Sequence, residues 1–288
     1  VRRIARLLLP AIFGVSVTQI NLLIDTVIAS FLVSGSVSWL YYSDRLVEFP
    51  LGLFGIALAT VILPNLSRDH AANDKNSFSQ TMDWSLRWVI VIALPATLGL
   101  FVLAEPILAA LFQNDEFSHS DVQMAGRSLK AYSLGLAAFM MIKVLVPGFS
   151  SRQDLKNPVR YGLYAMVAKL ILNIVLVFEF AHAGLAFATS LAAFLNAWLL
   201  VRKLMRHGIF VALGGWPSFL MRVLIANGAM GAVLSIALCF TDWFELTQIE
   251  RLVNLGLWIG AGALVYAGAL FVSGLRLADL GLRGTMPS

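Results

Sequence analysis

Eight apolar runs follow one another along the chain, separated only by short polar connections: residues 7–33, 39–66, 88–112, 124–147, 159–178, 184–201, 223–240 and 252–272. A helical span of the hydrocarbon core takes about 20 predominantly apolar residues, and each run is of that order. Inside a bilayer every backbone N–H and C=O has to be satisfied by the chain itself, and runs of this length do so as α-helices. The sequence therefore predicts an all-α, polytopic membrane helical bundle of about eight transmembrane helices. Charge content agrees, at 13% against about 25% for a soluble domain. No soluble domain fits, because the longest polar stretch covers only residues 67–87.

The net charge of +5 invites a nucleic-acid reading, but the basic residues sit in short loops between apolar runs. Arg68, Lys75 and Arg87, then Arg152 and Lys156, then Arg202, Lys203, Arg206 and Arg222 mark one side. The alternate connections are acidic or uncharged, with Arg127 and Lys130 as outvoted exceptions near an outer end. Such alternation is the positive-inside pattern, which places both ends of the chain in the cytoplasm and argues against a nucleic-acid partner. A lone cysteine, Cys239, excludes a disulfide framework and a thiol metal cluster. The four histidines are scattered through loops at no metal-ligand spacing, and no cofactor motif is present. Nothing here predicts an enzyme. The chain opens Val1-Arg2-Arg3 and enters its first apolar run at once, unlike a signal peptide, so the expectation is a fragment that begins in mid-protein.

Chemistry gathers where ions are costly. The stretch Tyr41-Tyr42-Ser43-Asp44-Arg45-Leu46-Val47-Glu48-Phe49-Pro50 heads the second run. Spacings of three and four put Asp44, Arg45 and Glu48 on one side of a helix. A charge at bilayer depth costs about 2.5–3.5 kcal/mol on insertion scales, so it faces a cavity or a partner and marks function. The competing account is an intrahelical salt bridge snorkelling to the interface beside Trp39, Tyr41 and Tyr42. Pro50 is expected to kink the helix just below the charges. Asp25 lies in the first run near Gln19, Asn21 and Thr26, either as an ion site or as a carboxyl that holds two helices together. Lys169, at the middle of the fifth run, has the least chance to snorkel; a structural pair with Asp25 or Asp44 is the alternative. Lys143, one turn from the cytoplasmic end, reads as a snorkelling residue. Prolines that interrupt several spans around such charges suit a secondary transporter, and arginine forks onto phosphate oxygens. Arg45, Lys143 and Lys169 are matched, however, by Asp25, Asp44 and Glu48.

The charged residues within spans belong to the first six runs. The last two carry Gly228, Gly231 and a Gly256/Gly260 pair at GxxxG spacing, which predicts close helix approach. Charge distribution thus divides the chain into a six-helix lobe, residues 1–201, and a connection plus final pair, residues 202–288.

The Tyr41 to Pro50 motif and the stretch KVLVPGFSSRQDLKNPV at residues 143–159 resemble the MurJ (MviN) family of bacterial lipid II flippases, within the multidrug/oligosaccharidyl-lipid/polysaccharide exporter superfamily. The resemblance implies a bacterial inner-membrane protein and the second half of a fourteen-span fold. Its final pair would form a groove for the lipid tail, and an N-terminal lobe would be missing. It implies export of lipid II, the undecaprenyl-diphosphate-linked peptidoglycan precursor, by alternating access, with membrane lipids as the surroundings. Arg45 would line the central cavity with Asp44 and Glu48 as orienting partners; Lys169 is added to the substrate residues from its mid-span position, not from the resemblance. Some members hold sodium in this lobe; Asp25, Asn173 and Thr189 match part of that set, while Val177 stands where a second acid would be. Two other readings stay open: an ion-coupled exporter of drugs or polysaccharide lipids that depends on Asp25, and a membrane scaffold without transport.

Overall fold

The computed structural model describes residues 19–274, apart from the side chains of residues 56–59. The first part of the first predicted span, with Pro10, and the tail with Arg276 and Arg283 lie outside the described residues. The described residues form helices α1 (Gln19–Ser30), α2 (Ser36–Ala71), α3 (Lys75–Val102), α4 (Ala104–Phe112), α5 (His119–Ser150), α6 (Lys156–Arg206), α7 (Trp216–Phe240) and α8 (Gln248–Val272). Five of them are long and apolar enough to cross a membrane, and α2 makes six when its two bent parts count as one span.

Helix α6 reconciles this number with eight predicted spans. Its 51 residues would make a rod of roughly 76 Å, more than twice a hydrocarbon core. The rod is folded instead. Ala181 leaves helical geometry at φ 47°, ψ −128°, and a Cβ placed on Gly184 would lie 2.3 Å from the Leu176 carbonyl oxygen. Only a chain reversal brings residue 184 back onto the backbone of residue 176, and only glycine leaves room for it. Residues 156–180 and 182–206 are thus two antiparallel helices joined by one strained residue. The third predicted span divides in the opposite sense, breaking at Leu103 into α3 and the short α4.

Prolines act through the carbonyl four residues upstream, which loses its helical donor. In α2 the bend of 47° falls between Ser36–Gly55 and Thr60–Ala71, one turn ahead of Pro64. Pro50, expected to kink the helix beneath the charges, lies within the first part, ahead of that bend. The helices also run past the predicted spans, so that α2 and α3 are separated only by residues 72–74. Asp74 ends that turn by accepting hydrogen bonds from the Asn76 and Ser77 N–H groups as the N-cap of α3.

Helix α5 is the centre of the bundle, with α2, α3 and α6 packed around it. Small residues let them approach: Gly135 faces the Ser190 backbone, and the Ser190 hydroxyl donates to the Ala131 carbonyl at 2.7 Å. Helices α7 and α8 pack on each other and on α3 and α4 through a separate apolar core that includes Leu103, Met230, Leu234, Leu255 and Tyr266. The close glycine contacts are Gly231 against Leu98 and Gly262 against Leu234, at 3.1 and 3.0 Å from a would-be Cβ. The Gly256/Gly260 pair expected to mediate this approach has nothing within 4 Å among the described residues. The contact face of α8 passes through Leu255, Gly262 and Tyr266, and the GxxxG pair lies off it.

Candidate functional site

A cavity of about 1110 Å³ opens between α1, the first half of α2, α5 and both halves of α6. Its wall collects the intramembrane charges that the sequence scatters over 145 positions, from Asp25 to Lys169: Asp25, Asp44, Arg45, Glu48, Lys143 and Lys169. Asn21, Asn196, Thr189, Tyr41 and Tyr132 line it as well. Three cations therefore face three acids in the described wall.

Arg45 reaches this space from the third turn of α2, on the side that Ser43 does not occupy. Ser43 is fully buried and donates to the Ala125 carbonyl of α5 at 2.8 Å, which fixes the rotation of α2 and leaves Arg45 and Glu48 turned to the cavity. The Arg45 guanidinium bonds the Glu48 carboxylate at 2.5 Å and sits over the Tyr41 ring, 5.1 Å from its centroid. Both side chains are half exposed, 54% and 50%, so the pair is wet and exchangeable.

Lys169 and Asp25 differ in kind. The ammonium contacts one carboxylate oxygen at 2.5 Å, and the Asn173 amide donates to the other at 3.0 Å. These side chains keep only 8% and 13% of their surface. Lys169 and Asn173 stand four residues apart on α6 and so meet Asp25 of α1 from one face. Of the three residues with sodium-site character, Asp25 and Asn173 are brought together, with Lys169 as the cation that Asp25 holds. Thr189 lines the same cavity, and its hydroxyl donates to the Leu185 carbonyl at 2.9 Å.

Lys143, expected near the end of its span and counted among the interior charges, lines the cavity as well. It is exposed, but into the cavity, with its stem against α2: its Cγ is 3.8 Å from where a Cβ of Gly55 would be. Side chains lean toward the N-terminus of their helix, which on α5 is the direction away from the nearby helix end. That lean was the available signal.

Outside the cavity, ion pairs do structural work that the sequence hid. Lys130 of α5 meets Glu105 of α4 at 2.7 Å. Asp83, nearly fully buried, accepts from Arg87 Nε at 2.7 Å, Trp216 Nε1 at 2.7 Å and the Leu213 N–H at 3.0 Å, which fastens the α6–α7 connection to α3.

This arrangement of a charged cavity on one side and an apolar hairpin on the other can be set beside known proteins. The model of the family described as lipid II flippase MurJ matches residues 1–254. The chain belongs to the MurJ family. Among its relatives, the probable lipid II flippase MurJ of Vibrio cholerae serotype O1 is 50% identical over 279 residues, covering 96% of this chain and 53% of that protein. The probable lipid II flippase MurJ of Haemophilus influenzae is 45% identical, with 96% and 55% covered. The chain thus spans about half the length of the curated relatives it matches. A solved lipid II flippase MurJ in an inward closed conformation superposes with a TM-score of 0.74 at 22% identity, covering 96% of this chain and 56% of that one. A MATE protein in complex with MaD3S gives 0.60 at 19% identity, covering 96% and 67%. Both likenesses speak to the fold alone, an all-helical one.

Proposed function

We propose that the chain is the C-terminal portion of a lipid II flippase that carries the undecaprenyl-diphosphate-linked precursor from the inner to the outer leaflet of the bacterial inner membrane by alternating access. Residues 1–201 act as a six-helix transporter lobe and residues 202–288 as the connection and final helix pair along which the polyprenyl chain lies. An N-terminal lobe of the same protein closes the cavity from the other side. Both ends of the chain face the cytoplasm, in keeping with the basic loops.

The observation that supports this reading best is a guanidinium on the wall of a large intramembrane cavity, in a chain of this family. Arg45 engages the diphosphate. Its planar fork suits two phosphate oxygens at once, and the Tyr41 ring beneath it fixes its plane. Glu48 holds the guanidinium while the site is empty and is displaced by the ligand, and Asp44 sets the local charge. Lys169 keeps Asp25 and α1 in place at the rim. In this reading Asp25, Asn173 and Thr189 are wall residues, and the cation at Asp25 is the protein's own ammonium.

Arg45→Ala in the full-length gene product, assayed for lipid II translocation in proteoliposomes and for rescue of growth when the native flippase is depleted, is expected to lose both. Arg45→Lys should retain a small fraction, since a point charge replaces a fork. Wild-type translocation by Arg45→Ala refutes the assignment.

A further inference from the structure

The cavity does not present its three cations equally. Arg45 is held by Glu48 and Lys169 by Asp25, each at 2.5 Å. Lys143 forms no ion pair among the described residues, although it is exposed to the same space. Among the described residues, a negatively charged group that enters the cavity therefore meets one cation without an ion-pair partner.

Position along the bundle gives that difference a direction. Helices α2 and α5 run parallel: Trp39 bonds Asp121, Ser43 bonds Ala125, and further along Gly55 meets the stem of Lys143. From Arg45 to Gly55 is ten residues, about 15 Å of helix. Lys143 thus guards the end of the cavity near the α5–α6 connection, which carries Arg152 and Lys156, and Arg45 lies deeper toward the opposite end. A diphosphate is far shorter than that separation, so the two residues act in succession on one ligand.

We infer that Lys143 is the first anchoring residue for the phosphate oxygens of a lipid-linked diphosphate, and that it passes them to Arg45 as Glu48 is displaced. This rests on the flippase reading above and adds to it an entry subsite and an order of contacts. An unpaired ammonium attracts at range, suits a flexible and mobile headgroup, and releases it without breaking a fork. The Arg45–Glu48 pair then serves as a second, more selective step, because only a ligand that offers two acceptor oxygens matches what Glu48 gives up.

The test is binding of undecaprenyl diphosphate, with undecaprenol as the uncharged control, to the full-length gene product in nanodiscs, at low and high ionic strength. Lys143→Gln should bind undecaprenyl diphosphate about tenfold more weakly, the worth of one charge-assisted contact, with undecaprenol unchanged. Its affinity should also depend less on salt. Lys143→Arg should stay near wild type. Glu48→Gln, which frees Arg45, should restore part of the affinity lost in Lys143→Gln. Thermal unfolding of each variant identifies loss of fold, and Lys143→Arg keeps the test decisive if Lys143→Gln is unstable. Unchanged affinity in Lys143→Gln while Arg45→Ala binds weakly overturns the entry subsite alone. Unchanged affinity in both variants overturns the flippase site with it. Equal loss in Lys143→Gln and Lys143→Arg would mean that the side chain matters for packing, and also refutes the inference.

Discussion

Separating Asp25 from Lys169 should be costly, while replacing both should not be. The ion pair joins α1 to α6 at 2.5 Å with 8% and 13% of the two side chains exposed, so solvent screens it little. Lys169→Ala strands a carboxylate that, among the described residues, keeps the Asn173 amide as its partner. Asp25→Ala strands an ammonium at bilayer depth. Removing one partner of such a pair costs about 3–5 kcal/mol, because the charge left behind is dry and unanswered. Replacing both by apolar groups of similar volume, Asp25→Leu with Lys169→Met, removes the desolvation penalty along with the attraction and should fall within about 1–2 kcal/mol of wild type. With Asp25→Leu and Lys169→Met also measured singly, the double-mutant cycle should show a coupling of roughly 3 kcal/mol or more. Denaturant titration of the purified full-length protein in mixed micelles measures each corner. Single substitutions that cost less than about 0.5 kcal/mol, or a double that costs the sum of the singles, would refute the claim that this pair is desolvated and mutual. The same series tests the ion site: sodium should stabilise neither wild type nor the double variant, since the lysine ammonium already answers the carboxylate.

Asp83→Ala removes the acceptor for three donors around a nearly inaccessible carboxylate and should cost about 3–5 kcal/mol locally. The measurement is amide exchange of residues 207–216, which should speed up by about a hundredfold or more, at about 1.4 kcal/mol per tenfold. Tyr266→Phe orphans the Val91 carbonyl, whose helical donor Pro95 has already removed, and should destabilise by about 1–3 kcal/mol in an unfolding titration. Gly262→Leu should disrupt the packing of α8 on α7, while Gly256→Leu and Gly260→Leu leave thermal stability unchanged. Ala181→Gly should stabilise by about 1 kcal/mol, since the residue sits at φ 47° where a side chain is strained.

Membrane residence, helical class and the existence of a charged interior were legible because apolar length and rare charges are one-dimensional signals. The turn at Ala181 announced itself only as a short gap between two runs, and its cause, the contact of Gly184 with Leu176, is tertiary. Lys143 was legible as a charge near a helix end, but that its stem lies beside Gly55 on the cavity wall required α2 to be in place. The GxxxG pair shows the converse: a spacing that permits close approach does not say which face the neighbour takes. Pairings such as Lys169 with Asp25 were open among alternatives in the sequence. They became definite only when α1 and α6 were set side by side.

Three polar ties hold the closing hairpin to the rest of the bundle. Asp83 grips the connection ahead of α7. Tyr266 fills the gap at Val91. Arg251 spans the far end, bonding the Gln113 side chain at 2.9 Å and the Phe244 carbonyl at 2.9 Å. A pair of helices pinned toward both tips cannot slide against its support, so it travels as freight with whatever α3 and α4 do. A hydrocarbon chain resting on it would be carried sideways through fluid lipid without being gripped. On the proposed function, such a rail would be indifferent to how many isoprene units trail beyond its edge, and polyprenyl length should then matter far less than the presence of phosphate.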